Sequence, residues 1–213
     1  MLFTKTRINI ITAISVVVAV IFIDQVIKFE VKTNFLLHEA REVTSWMYIY
    51  FVENSGMAFG VNITGTVALA AARIVFVAFL CCFAYKTAKR NSPRGFIVCI
   101  SLIIAGAVGN IVDNAFYGLL FSESSDFHVA STVPFGEGYG GFMSGKVVDM
   151  FYFPLIDTVL PDCLPIVGGN HFVFFAPIFN FADSVITCGS IAILLFYRKQ
   201  LSVALKQKGT DCQ

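Results

Sequence analysis

The chain has 213 residues, of which 57% are hydrophobic and 14% charged, with a net charge of +1 and a mean hydropathy of +0.77. An apolar share well above the roughly 45–50% of a soluble domain excludes a water-soluble globular protein. The net charge says nothing about nucleic acid, but the basic residues stand in short clusters beside apolar runs and not along one face, so no nucleic-acid partner is expected.

Four apolar runs, at about 8–28, 66–85, 95–117 and 176–197, each approach the roughly 20 residues a tilted helix needs to cross the hydrocarbon. The first exceeds the roughly 7–15 residues of a signal-peptide core and lacks a small-x-small cleavage site, so it reads as a retained span. Lys5 and Arg7, then Lys86, Lys89, Arg90 and Arg94, then Arg198, Lys199, Lys206 and Lys208 fall on one side of the resulting zigzag. The positive-inside rule puts that side, and both termini, in the cytoplasm.

Residues 34–65 and 119–175 then lie outside, and both are too long to be plain turns. The first carries REVTSWMYIYFVENSGMAFG, alternating and rich in Tyr, Phe and Val, which predicts a strand pair or small sheet at the membrane interface with Trp46 at headgroup level. The second has glycines at 136, 138, 140, 141 and 145 and prolines at 134, 154, 161 and 165, which predicts loop with one short helix near 156–160. The expected fold is an α-helical membrane protein. Four transmembrane helices carry a small extracytoplasmic β-sheet, a cradle, and a loop-rich extracytoplasmic insertion, all in one domain over 1–213.

Polar residues inside the apolar runs need partners. Asn180, Asp183, Thr187 and Ser190 form a stripe at helical spacing that cannot face lipid cheaply, and Asp149 in GKVVDMFY is a second acid expected to meet Asp183. Asp24 and Lys28 are an i, i+4 pair. They read either as an end-of-helix ion pair with Lys28 snorkelling to the headgroups, or as part of a polar wall. Asn54, Gly56, Ala58 and Phe59 read as a turn, or as a place where the Asn54 amide holds an extended peptide while Gly56 permits close approach. Arg73, about seven residues into the second span, requires a carboxylate, with Asp24 and Asp113 as candidates. Gly106, Asn110, Asp113 and Tyr117 share one face of the third span, and Gly106 and Gly109 with Ala105 and Ala107 offer a neighbouring helix close approach. A packing face explains the small residues but not an unpaired Asp113. The cysteines show no metal-ligand spacing, and His38, His128 and His171 are scattered, so neither a metal site, a cofactor nor a disulfide framework is expected.

Five patches, in order, resemble the lipoprotein signal peptidase (signal peptidase II) family of bacterial inner membranes. They are Asp24-Gln-Val-Ile-Lys28, Asn54-Ser-Gly56-Met-Ala58-Phe59, Gly109-Asn110-Ile-Val-Asp113, Val147-Val148-Asp149-Met150-Phe151 and Phe179-Asn180-Phe181-Ala182-Asp183. The resemblance implies a metal-independent aspartic endopeptidase with Asp149 and Asp183 as its catalytic pair. Asn54, Gly56, Asn110, Asp113 and Asn180 would line and order the site, and Asp24 and Lys28 would support it. It implies diacylglyceryl-modified prolipoproteins as substrates, cut on the amino side of the lipidated cysteine at the periplasmic surface. Membrane lipids and cyclic peptide inhibitors such as globomycin are the other implied partners. The chain departs from the family at Asn114, where an arginine is usual, and in longer stretches on either side of Asp149; Arg73 is the candidate for the missing charge.

Two carboxyls suit this chemistry because close acids share a proton: one holds a water as base while the other faces the carbonyl as acid. The rival classes are a small proton-coupled transporter and a structural or partner-binding membrane protein. Against the first stand acids gathered at one surface, no visible inverted repeat and only four spans.

Overall fold

The computed structural model of the chain describes residues 2–55, 66–163 and 168–206. Five helices carry the fold: α1 (Leu2–Asn34), α2 (Thr66–Lys89), α3 (Arg94–Val112), α4 (Phe181–Phe196) and α5 (Arg198–Lys206). Beyond Val112 the third span continues through a π-helical turn, Asp113–Tyr117, to Leu120. Such a turn re-aims the side chains of one helical segment relative to those before it.

Among the described residues three helices are long and apolar enough to cross a membrane, and α4 with α5 makes a fourth candidate, bent by 89° between them. This is a multi-pass helical membrane protein with a small sheet. α3 is the central helix, because over half its apolar stretch is covered by protein while α1 and α2 turn most of theirs outward. Its Phe96, Cys99, Ile100 and Ile104 pack with Leu80 and Ala84 of α2 and Ile193 of α4. The bundle is therefore organised by burial around one hydrophobic helix rather than by amphipathic stripes on all of them.

The sheet packs on the end of the bundle that carries Tyr117 and Phe121. Strands β1 (Ala40–Thr44), β2 (Met47–Asn54), β3 (Val147–Tyr152) and β6 (Ile178–Phe179) run antiparallel in that spatial order. Val31 of α1, Phe51 of β2, Tyr117, Phe121, and Val148 and Met150 of β3 form a second core that fastens it to the bundle. Alternation then turns Asp149, between Val148 and Met150, to the opposite face. Trp46, at the β1–β2 turn, stacks on Phe153 at 5.9 Å between ring centres.

Two expectations are corrected. Residues 156–160 are not helical: Ile156–Val159 is strand β4, paired with β5 (His171–Phe174), because alternating Ile156 and Thr158 with Val159 favour a pleated pairing over a helical turn. The fourth span does not begin at 176. Ile178 and Phe179 pair with β3, and the helix starts only at Phe181, where Asn180 caps it.

The small residues of α3 admit α4 closely. A methyl group at Gly189 of α4 would lie 2.8 Å from the Cys99 carbonyl oxygen and 3.1 Å from the Ile103 side chain. Gly189→Val should therefore push the two helices apart, at about 1–3 kcal/mol, read as a lower midpoint of thermal unfolding in detergent.

Candidate active site

The helix α4 opens with a reciprocal cap. Asn180 Oδ1 accepts from the Asp183 backbone N–H at 2.9 Å, and Asp183 Oδ2 accepts from the Asn180 backbone N–H at 3.4 Å. This capping box satisfies two orphan donors and fixes both side chains. Asn180 is fully buried, and its amide Nδ2 donates to Asp149 Oδ1 at 2.6 Å and to Asn110 Oδ1 at 3.2 Å. Asn110 in turn donates to Asp183 Oδ1 at 3.0 Å. A single asparagine thus holds β3 and the start of α4 together, and Asp149 and Asp183 fall within one hydrogen-bonded cluster.

Behind them lies a buried charge group. Lys28 is fully buried, with Nζ 2.9 Å from Asp24 Oδ2, 2.7 Å from Asp113 Oδ2 and 2.8 Å from Asn110 Oδ1. It is turned into the bundle and does not snorkel, which overturns the end-of-helix reading: two carboxylates and an amide solvate the ammonium better than a stretched path to the headgroups. Asp24 also accepts the Ala182 N–H at 3.0 Å, tying α1 to the first turn of α4. A methyl group at Gly109 would come within 2.6 Å of Asp24 Oδ2, so glycine keeps that approach open.

Asp149 is nearly buried, and its carboxyl is pushed up to about 7, first by burial and then by the charge of Asp183. The donors Asn180 and Asn54, and Lys28 beyond them, pull it down but do not win. Asn54 Nδ2 is 3.4 Å from Asp149 Oδ2. Asp24 and Asp113 hold the Lys28 ammonium directly, while Asp149 and Asp183 connect to it through Asn180 and Asn110. Burial and the neighbouring Asp183 charge therefore let Asp149 hold its proton toward neutrality.

Most of the expected residues meet: Asp24, Lys28, Asn54, Asn110, Asp113, Asp149, Asn180 and Asp183 form one connected network. Gly56, Ala58 and Phe59 lie outside the described residues. The stripe on α4 stops early, since Thr187 is exposed and Ser190 lines an apolar groove with Ile100 and Ile193. A hydroxyl costs far less than a carboxylate there. Arg73 finds neither candidate acid: it donates to Asn114 Oδ1 at 2.7 Å, because Asp24 and Asp113 are already taken by Lys28 and Gln25.

Comparison with known proteins decides the family. Residues 16–198 match the model of the family described as signal peptidase (SPase) II. The chain belongs to the signal peptidase II family. It is 46% identical to a lipoprotein signal peptidase of Porphyromonas gingivalis over 197 residues, 92% of this chain and 87% of the relative. A lipoprotein signal peptidase of Amoebophilus asiaticus is 32% identical, over 85% of this chain and 75% of that one. A bacterial membrane enzyme crystallised in meso and solved at 2.3 Å shares the fold at a TM-score of 0.58 and 25% identity, covering 95% of this chain and 92% of that one. A signal peptidase is a protease, and the transporter alternative finds no support among these matches.

Within this signal peptidase fold, sequence reasoning missed Gln25. Its amide donates to Asp24 at 3.1 Å, to the Gly109 carbonyl at 3.3 Å and to Asp113 Oδ1 at 2.9 Å, and it accepts from Tyr117 at 3.2 Å. The sign was available, since Asp24, Gln25, Lys28 and Lys32 fall within about 100° of helical arc. Removing the ammonium while leaving two buried acids is the costliest single change in this network. Lys28→Met should cost about 3–5 kcal/mol, read as loss of folded protein or of thermal stability in detergent.

Proposed function

We propose that the chain is a metal-independent aspartic endopeptidase that removes signal peptides from diacylglyceryl-modified prolipoproteins, cutting on the amino side of the lipidated cysteine. Asp149 and Asp183 are the catalytic pair. The observation that carries this reading is Asn180: its one side chain joins the Asp149 carboxyl to the helix turn that presents Asp183.

The mechanism follows from the shared proton. A water held between the two carboxyls loses a proton to the ionised one as it attacks the scissile carbonyl carbon, while the protonated one donates to the carbonyl oxygen. Collapse of the tetrahedral intermediate returns its hydroxyl proton to the carboxylate that gave it and expels the amine with the proton the other acid took from the water, so the pair again holds one. Asn110 and Asn180 hold the acids in place during this exchange, and Asn54 is on hand for the substrate backbone as well as for Asp149. Asp24, Lys28 and Asp113 support the frame. Gly56 is assigned close approach to the extended substrate, as its neighbour Asn54 would require.

The distribution of basic residues supports an inner-membrane protein with both termini in the cytoplasm and the acids at the periplasmic surface. A diacylglyceryl cysteine is held at that depth by its acyl chains, and the sheet carrying Trp46 cradles the substrate at the headgroups. Globomycin-type cyclic peptides would compete for the same groove.

Asp149→Asn and Asp183→Asn should each abolish cleavage of a lipidated prolipoprotein while the protein remains folded and inserted; near-normal maturation by either variant overturns the assignment. Activity should survive EDTA, and loss of activity restored by zinc would overturn metal independence.

The pH dependence has a defined sign. The pair works with one proton, so kcat should fall as pH rises through the value near 7 at which Asp149 gives that proton up. Because the charge of Asp183 helps raise Asp149, Asp183→Asn should move the Asp149 titration to lower pH, followed by its carboxylic acid infrared band. An unmoved band would show that the two acids are not coupled.

A further inference from the structure

A second buried ion pair lies on the far side of the strands that carry the site. β2 and β3 pair with Val52 opposite Asp149, Glu53 opposite Val148 and Asn54 opposite Val147. Asn54 therefore shares the Asp149 face, and Glu53 points the other way. There its carboxylate, 3% exposed, meets the ammonium of the fully buried Lys32, one helical turn beyond Lys28 on α1. Ser124 Oγ accepts from Lys32 at 3.0 Å and donates to Glu53 Oε1 at 2.8 Å. The rings of Phe121 and Tyr139 lie 5.3 and 5.1 Å from the same ammonium. Lys146 closes the group, its Nζ 3.3 Å from Glu53 Oε2 and its backbone N–H donating to the Tyr139 hydroxyl at 2.8 Å. Burial works to raise the Glu53 carboxyl, but Lys32, Ser124 and Lys146 outweigh it and hold it below the usual carboxylate range.

Stability alone is a poor reason for such a pair, since hydrophobic residues of similar volume often do as well or better. Geometry is a better one. The β2–β3 ladder is irregular between Ile49 and Val52, just before the residues that matter. A slip of one residue would put Glu53 on the face of the acids and Asn54 behind it.

We infer that Lys32 and Glu53 are positioning residues for the cleavage reaction: their buried pair, sealed by Ser124 and Lys146, fixes the register at which β2 presents Asn54 to Asp149. The inference rests on the catalytic assignment of Asp149 above. The stretch between the third span and β3 supplies Ser124, Tyr139 and Lys146, which close around the pair.

The test is the double variant Lys32→Met/Glu53→Leu, which removes both buried charges together, leaving only the Ser124 hydroxyl and the partly exposed Lys146 to find new partners. Assayed on a lipidated prolipoprotein, it should stay folded while kcat falls about tenfold, as expected when a catalytic group is slightly misplaced. Asn54 draws the Asp149 carboxyl down, so loosening it should also move the alkaline limb of the kcat profile to higher pH. The charged groups that face Asp149, Asp183 and Lys28, are untouched by these substitutions, and a merely structural role would not move that limb. Parental kcat with an unmoved limb in the folded double variant overturns the inference. Should the double variant fail to fold, Ser124→Ala carries the test: a lower kcat with the alkaline limb moved to higher pH supports the inference, and a parental kcat with an unmoved limb overturns it. Asp149→Asn, run alongside, separates the two claims. If it is active, the catalytic assignment fails; if it is inactive while the double variant works normally, only the positioning role fails.

Discussion

The arrangement depends on one ammonium out of reach of water. Lys28 could not be buried alone, so its position obliges Asp24, Asp113 and Asn110 to gather around it. Those three partners belong to α1 and to the end of α3, and Asp24 reaches on to the first turn of α4. Asn110 passes the constraint outward, because the lone pairs that serve Lys28 and Asn180 orient its amide toward Asp183. From Lys28 to the outer acids every polar group is committed to a partner, and this leaves the cluster with little freedom to rearrange.

The sheet plays the complementary part. A bundle of apolar helices offers few rigid places for a carboxylate, whereas a strand with Val148 and Met150 on its core face must point Asp149 the other way. Tyr117 and Phe121, from the end of the third span, join that core. The π-helical turn at Asp113–Tyr117 lets one segment serve two directions, with Asp113 facing Lys28 and Val148 while Tyr117 packs beneath the strands.

Much of this was legible in the sequence because charges in apolar surroundings are conspicuous. Asp24, Lys28, Asp113 and Asp183 interrupt hydrophobic runs, and their helical spacing shows that they turn inward. What could not be read was pairing across the fold. Nothing local says that Arg73 finds Asn114 instead of an acid, since that depends on Gln25 and Lys28 having already occupied Asp24 and Asp113. Gln25 itself was hidden by chemistry: a neutral amide beside an acid draws no attention until its three acceptors are known. The strand at Ile156–Val159 was hidden by length, four residues being too few for a period to declare itself. Asn180 stood in plain view, but its capping role, which shortens α4, depends on backbone angles that composition does not encode.

That shortening has a mechanical result. Sixteen residues of α4 rise through about 24 Å, less than the roughly 30 Å of a bilayer's hydrocarbon layer, and the chain turns sharply at the end far from Asp183 into α5. The lipid beside α4 must therefore compress to match the helix. Local thinning of this kind brings the headgroup layer down to the level of Asp183 and the polar cluster around it.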